Sequence, residues 1–224
     1  MHVPALLSPQ RGPSCEGMFK RLALAAVAAA TLLVSPAFAA LDATQQADLK
    51  RITDTWNAIR TVQGGFSQVD SNGGQSTGVF YIKKPGRFRF DYNPPEQLTV
   101  VADGYTVAVE DKKLETQDRY PLVETPLSVM VDENISLDRP DLKILNVERR
   151  GDAIVVHLKS TKEDAQGDLL IAFNQADLSL MYWVVRDPQG TQVTVRVGNV
   201  TQGMEIDARK FFIAQKDKDE DDGR

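Results

Sequence analysis

The first hydrophobic pattern after residue 40 has the spacing of an amphipathic helix. The residues that would share one helical face are Leu49, Ile52, Trp56 and Ile59. Asp42, followed by Gln45, resembles a capping box that begins the helix. Gly64-Gly65 is expected to end it. The sequence therefore predicts one amphipathic helix at the start of the folded domain.

From Phe66 onward the hydrophobic residues alternate with polar ones, which is typical of half-buried strands. The main runs are 78–83, 87–92, 98–102, 105–110, 144–149, 153–159, 168–174, 179–186 and 191–198. Turn signals separate neighbouring runs, and Asp103-Gly104 is a strong two-residue hairpin signal. About ten strands joined by short turns predict one large antiparallel sheet, curled or barrel-like.

The stretch from Pro121 to Pro140 interrupts this alternation. Thr125-Pro126 can begin a short helix that carries Leu127, Met130 and Val131 on one side. A helix inserted between strands needs a surface to cover. We therefore predict a short helical lid over the sheet.

Two strands have unusually apolar faces. Alternation places Phe88, Phe90 and Tyr92 on one face of the strand 87–92, where they could either fill a core or line a ligand cavity. The strand 180–185 is apolar on both faces, so both faces must be covered. A curved sheet with few helices can satisfy this requirement if one side holds a cavity filled by a lid or a ligand.

Residues 1–39 have the three parts of a cleavable signal peptide in the expected order. Lys20-Arg21 is followed by an apolar run at 22–34 and by the small-residue cleavage site Ala37-Phe38-Ala39. The run is shorter than the roughly 20 residues that span a membrane. We predict a mature chain that begins at Ala40 in the periplasm, with Met18 as a candidate start of translation.

Composition narrows the choice of partner. The chain carries 26 Lys and Arg against 31 Asp and Glu, and removal of residues 1–39 makes it more acidic. This balance argues against nucleic acid as a partner. The single cysteine, Cys15, precedes the cleavage site. Residues 40–213 are long enough for one domain, and 214–224 are expected to form a charged, disordered tail.

Residues for catalysis are scarce in this sequence. His157 is the one histidine after the signal peptide, and it lies in an alternating strand. A Ser-His-Asp site or a histidine-based metal site needs partners that the sequence does not offer. Acidic pairs such as Asp132-Glu133 leave a carboxylate-pair hydrolase open, although they lie in predicted turns. We predict no enzyme activity, no metal and no cofactor.

Several motifs together resemble the outer-membrane lipoprotein carrier family (LolA-like). They are Phe66-Ser67-Gln68, Lys84-Pro85-Gly86-Arg87-Phe88-Arg89-Phe90, Pro94-Pro95-Glu96, Val101-Ala102-Asp103-Gly104 and Thr125-Pro126-Leu127. The resemblance extends to about Phe212. It implies an α+β fold, an incomplete antiparallel β-barrel with an N-terminal helix and a short helical lid.

The resemblance also implies a function. Family members receive the acyl chains of a lipoprotein from an inner-membrane ATP-driven complex and carry them through the periplasm to an outer-membrane acceptor. The acidic end of this chain, where better-known members carry a further strand and loop, leaves the acceptor open. We expect a monomer. A periplasmic lipid-binding sensor or regulatory module, or a carrier of another apolar lipid, remains the alternative on the same fold.

The resemblance finally suggests site residues. The predicted cavity lining is Phe80, Phe88, Phe90, Tyr92, Val101, Val107, Val109, Ile171, Phe173, Met181 and Trp183. The predicted lid residues are Leu127, Met130 and Val131. Lys84 stands where family members often have an Arg that holds the lid closed, so it is the predicted latch. Lysine lacks the planar, multi-donor head of arginine, which makes this latch a weaker one.

Overall fold

The computed structural model describes residues 41–136, 139–161 and 167–214. The predicted signal peptide and its cysteine lie outside these residues. So does the predicted charged tail, apart from Ala214.

Helix α1 spans Ala43–Ala58 and begins as its sequence predicts. The Asp42 carboxylate accepts a hydrogen bond from the Gln45 backbone N–H at 2.8 Å, and the Gln45 side chain accepts one from the Asp42 backbone N–H at 2.9 Å. These bonds satisfy two backbone donors that a helix start leaves free, so the capping box is confirmed.

The prediction that Gly64-Gly65 ends this helix is wrong. Ile59 already has an extended backbone, and Gly64 lies inside the first strand. A Cβ atom on Gly64 would come within 2.9 Å of the Gly198 carbonyl oxygen and 3.0 Å of the Phe80 ring. Glycine is therefore needed here so that Phe80 and a neighbouring strand can approach the backbone closely.

Within the described residues, eleven strands form one antiparallel sheet. They are β1 Thr61–Val69, β2 Gln75–Lys83, β3 Arg87–Tyr92, β4 Leu98–Asp103, β5 Thr106–Asp111, β6 Thr116–Pro121, β7 Leu142–Arg150, β8 Ala153–Ser160, β9 Asp168–Asn174, β10 Leu180–Arg186 and β11 Gln192–Gln202. Their order is β6-β5-β4-β3-β2-β1-β11-β10-β9-β8-β7. Because β6 and β7 end the sheet without pairing to each other, it is an incomplete barrel, as predicted. Strands β1 and β6 were not among the predicted runs.

The sheet is strongly curved. Phe90 on β3 and Trp183 on β10 are four strand positions apart, which is roughly 19 Å in a flat sheet. Their ring centroids are only 5.9 Å apart. The side chains on the concave face therefore meet across the sheet and form the main core.

The connection from β6 to β7 covers part of this concave face. It contains a 3-10 turn at Leu122–Glu124 and the short helix α2 at Ser128–Val131. Val129, Met130 and Val131 of α2 are all at least 95% buried. We call residues 122–136 the lid segment, and its helix lies where the sequence predicts one.

The end of the described chain covers part of the outer face instead. We call residues 203–214 the C-terminal strap. Ile213 packs against Val101 and Ala108 of β4 and β5, and the Ala214 carbonyl oxygen accepts a hydrogen bond from Arg119 of β6 at 3.1 Å. The strap thereby buries apolar side chains on the outer side of β4 and β5, whose other side contributes Ala102 and Val107 to the main core.

Candidate functional site

The concave face of the sheet carries a continuous apolar surface. Seven of the predicted lining residues are buried in this one cluster, namely Phe80, Phe88, Phe90, Val107, Ile171, Phe173 and Trp183. Tyr92 is half-buried at its margin, where its hydroxyl donates to the Gln68 side chain at 2.8 Å. Val109 is half-buried and pairs with Val100, which packs against the same cluster. These nine residues share the face that the strand patterns predict.

Phe90 is at the centre of the aromatic packing. Its ring contacts those of Phe66, Phe80, Phe88 and Trp183, with centroids 5.5, 6.0, 5.7 and 5.9 Å away. Three of these contacts are edge-to-face, and the contact with Phe80 is stacked. Such arrangements suit the charge distribution of aromatic rings. The aromatic face is therefore a packed surface with Phe90 as its hub.

Val101 does not lie on this face. The pairs Ala102–Val107 and Val101–Ala108 alternate across β4 and β5, so the first pair faces the core and the second faces outward. Val101 packs under Ile213 of the strap. Neighbours in a strand face opposite sides, and all three residues of the run 100–102 are apolar. Without alternation, the sequence could not indicate which of them points inward.

Met181 also lies on the other side of the sheet, against Ala153, Val155 and Ala172. The pairing of β9 with β10 slips between Leu180 and Tyr182, which marks an irregularity such as a β-bulge. The extra residue of a bulge breaks the simple alternation of faces. Met181 and Trp183 were expected to share a face, and this slip separates them.

The lid segment packs closely on the concave face. Leu127, Met130 and Val131 surround a cavity of about 10 Å³ together with Phe88, Phe90 and Trp183. A second cavity of about 20 Å³ lies between α1, Val129 and the strands β8 and β9. A third of about 40 Å³, partly polar, lies on the other side of α2, near Leu142 and Leu169. Cavities of this size hold roughly one to three water molecules, so the lid segment and the core fill most of the space between them.

Backbone atoms of α2 are held from two directions. The Trp56 indole N–H of α1 donates to the Met130 carbonyl oxygen at 2.9 Å, in a buried position. The Gly86 backbone N–H, in the turn between β2 and β3, donates to the Val131 carbonyl oxygen at 2.7 Å. Gly86 has a φ of +72°, which favours glycine. Both contacts reach the last two residues of the helix.

Lys84 lies beside these contacts but bonds to α1. Its ammonium group is buried and donates to the Trp56 carbonyl oxygen at 2.7 Å. Burial lowers the pKa of Lys84 from 10.5 to about 8, with a further lowering by Arg60 and an opposing effect of Asp132. Lys84 thus positions the residue whose indole holds α2. Its role as a latch stays a prediction.

Two polar residues of α1 that are not among the predicted site residues connect the helix to the lid segment and to the sheet. Asn57 exchanges two hydrogen bonds with the backbone of Ile135 in the lid segment. Asp48, buried in the first half of α1, receives two hydrogen bonds from Arg149 of β7 at 2.7 and 2.8 Å. Arg149 holds the pKa of the Asp48 carboxyl below its usual value. Asp48 precedes Ile52 and Trp56 at helical spacing and is buried with them, so a charge on the apolar stripe was a signal for it. No local signal marks Asn57.

His157 lies on β8 with its Nε2 atom 3.4 Å from an Asp168 carboxylate oxygen. Neighbouring Val156 and Leu158 face the main core, so His157 points to the outer side. Within residues 41–136, 139–161 and 167–214, no group of three or more His, Cys, Asp or Glu side chains could hold a metal ion. In the same part of the chain, no helix has the length and apolar character needed to cross a membrane.

A family model and related sequences agree on the family to which this chain is similar. The family model described as "Outer membrane lipoprotein carrier protein LolA" matches residues 57–214. An outer-membrane lipoprotein carrier protein of Halorhodospira halophila is 36% identical over 91 residues, which are 38% of this chain and 44% of that protein. One from Pseudomonas putida is 25% identical over 176 residues, which are 74% of this chain and 82% of the relative.

Among solved structures, a LolA superfamily protein of Nitrosomonas europaea is similar with a TM-score of 0.41 and 10% identity. The similarity covers 73% of this chain and 97% of that one.

Proposed function

Since the chain belongs to the family of outer membrane lipoprotein carrier proteins, LolA, we propose that it is a periplasmic carrier that binds the acyl chains of lipoproteins on the concave face of its sheet. In this proposal it receives a lipoprotein from an ATP-driven complex of the inner membrane and delivers it to an acceptor at the outer membrane. It catalyses no reaction and needs no cofactor.

The observation that carries the proposal is the aromatic concave face beneath a four-residue helix. Burial of a lipid chain is worth about 0.8 kcal/mol per methylene group. An apolar face of this extent can therefore hold an acyl chain that would otherwise lie in water. The residues proposed to touch the chain are Phe80, Phe88, Phe90, Tyr92, Val107, Val109, Ile171, Phe173 and Trp183.

Binding in this proposal requires the lid segment to move. The cavities beside α2 are about 10 to 40 Å³, whereas ligand sites are usually about 300–1,000 Å³. Displacement of Leu127, Met130 and Val131 would open the aromatic face to an acyl chain. A short helix held by few hydrogen bonds can open at a modest free-energy cost, which also permits release of the cargo.

The proposed location follows from the order of Lys20-Arg21, the apolar run 22–34 and the site Ala37-Phe38-Ala39. We propose that cleavage leaves a carrier domain at residues 40–213 and a charged tail at 214–224. The mass of the intact protein isolated from the periplasm tests the cleavage. A mass that includes Lys20-Arg21 would contradict it.

Binding can be tested with the chain that begins at Ala40 and a fluorescent acyl probe. We expect saturable binding that a triacylated lipopeptide displaces and the same peptide without acyl chains does not. Absence of probe binding by the folded protein would contradict the proposal. Mass spectrometry of the apolar material that co-purifies from the periplasm then separates lipoprotein cargo from a glycolipid or another apolar lipid.

A further inference from the structure

The last turn of α1 bonds to the backbone on the far side of α2. The Asn57 amide nitrogen donates to the Ile135 carbonyl oxygen at 3.1 Å, and the Asn57 amide oxygen accepts from the Ile135 N–H at 2.7 Å. Arg60 adds a longer bond of 3.3 Å to the Glu133 carbonyl oxygen. Together with the Trp56 bond to Met130, the last turn of α1 and Arg60, which follows the helix, thus contact the lid segment at three places along residues 130–135.

We propose that this turn of α1 is the clamp that holds the lid segment on the sheet, and that Asn57 is its positioning residue. The inference rests on the proposed carrier function, in which the lid segment must open. Asn57 is suited to this role because its amide presents one donor group and one acceptor, as a peptide group does. It can therefore satisfy both backbone groups of Ile135, a residue that is 91% buried, at the same time.

The clamp needs a fixed support, and the first half of α1 provides one. Asp48 is bonded to Arg149 of β7, and Gln45 donates to the Val147 carbonyl oxygen at 2.8 Å. α1 is therefore attached to the strand at one end of the sheet. The Gly86 contact with Val131 attaches the lid segment to the turn between β2 and β3, several strands away. The lid segment is held between two separate parts of the curved sheet.

A further contact joins Asp132 of the lid segment to Arg139, which follows the segment, and it is of a different kind. Arg139 pairs with Asp132 and with Asp141, and its side chain is 31% exposed. Partly exposed ion pairs of this type contribute little net stability, whereas separating Asn57 from Ile135 leaves two backbone groups without partners in a partly buried place. Loss of the Asn57 contact should therefore release the lid segment more readily than loss of the Arg139 ion pairs.

Amide hydrogen exchange can detect release without any ligand. In Asn57→Ala we expect the Gly86 amide, which bonds to Val131 and does not touch Asn57, to exchange on the order of tenfold faster than in the unchanged protein. Asn57→Asp keeps the acceptor for the Ile135 N–H but loses the donor. Its Gly86 amide should exchange at a rate between those of the unchanged protein and Asn57→Ala. Asn93→Ala is the matched control, because Asn93 bonds to Thr77 away from the lid segment.

The outcomes separate the clamp from the carrier function. Faster exchange at Gly86, together with unchanged exchange in α1 and faster uptake of the acyl probe, supports both the clamp and the carrier function. Faster exchange at Gly86 when no variant binds the probe supports the clamp and contradicts the carrier function. Faster exchange at Ile135 alone would mean that Asn57 only protects that amide, and the clamp would then be overturned. The clamp would also be overturned if the control Asn93→Ala accelerated exchange at Gly86 as much as Asn57→Ala does.

Discussion

At the scale of single residues, Phe90 and Val101 are a natural pair for comparing the two sides of the sheet. Both are buried, but Phe90 lies in the aromatic core and Val101 lies under the strap. If acyl chains bind on the concave face, only the first position should affect binding. Comparing variants at these two positions therefore tells whether the concave face is a ligand surface or only a packed core.

We predict that Phe90→Ala weakens binding of the acyl probe by the folded protein and lowers stability by about 3–5 kcal/mol, because a large core side chain is lost. Val101→Ala should lower stability by less and leave the affinity unchanged. Urea unfolding followed by probe titration of each folded variant provides the measurement. An equal loss of affinity in both variants would argue that the concave face is only structural.

Lys84 makes stability depend on pH in a definite direction. Its pKa is about 8 in the folded chain, against 10.5 when unfolded, so the unfolded chain binds more protons between these values. Stability should therefore rise as the pH increases from about 8 to 10.5, by roughly 2–3 kcal/mol from this group. Below pH 8 both states are protonated, and the cost of the buried charge is fully present.

This pH dependence can be isolated by difference. We expect the free energy of unfolding of the unchanged protein to rise across this interval relative to that of Lys84→Met, which has no amine at that position. Chemical unfolding at a series of pH values gives both curves. Parallel curves would show that Lys84 is not the source of the change.

At the scale of elements, the four-residue helix α2 covers the aromatic concave face. Met130 of α2 and Ile82 of β2 line the same cavity. The sequence has one cysteine, at position 15, before the predicted cleavage site. Thiols introduced in the chain that begins at Ala40 would therefore have only each other as partners.

We predict that Met130→Cys with Ile82→Cys can be joined by a short thiol-specific linker, and that joining them abolishes uptake of the acyl probe. Cleavage of the linker should restore uptake. Val101→Cys with Ile213→Cys, which joins residues in contact on the outer face, is the control and should leave uptake unchanged. Normal uptake by the linked Met130 pair would refute a movable lid.

At the scale of the whole molecule, the two faces of the sheet have separate covers. The lid segment and α1 cover the concave face, and the strap covers the outer face of β4 and β5. Because Ile213 of the strap packs in a cluster separate from the main core, its contribution to stability should be separable from binding.

Ile213→Ala should accordingly lower stability by about 2 kcal/mol, at the low end for loss of a buried Ile side chain, and leave probe affinity unchanged. Thermal unfolding and probe titration measure the two effects. A large loss of affinity in the folded variant would instead mean that the strap supports the concave face through β4 and β5.

Several features of the protein follow from local sequence patterns. Asp42 and Gln45 mark the start of α1, and Asp103-Gly104 marks a hairpin, because caps and tight turns depend on residues close together in the chain. Alternation predicts most of the strands, and short turns between them imply antiparallel pairing. The motifs between Phe66 and Leu127 together indicate the family, and the resemblance implies the incomplete barrel.

Only the tertiary structure decided which residues meet. A slip in the pairing of β9 with β10 turns Met181 outward, and position 64, inside a strand, needs glycine because Phe80 and Gly198 approach its backbone closely. The bonds of Asn57 to Ile135 and of Lys84 to Trp56 join residues 78 and 28 positions apart. A periodic pattern records which side of its own element a residue occupies. It contains no information about the distant group on that side, since that depends on how the sheet curves and how its strands are paired.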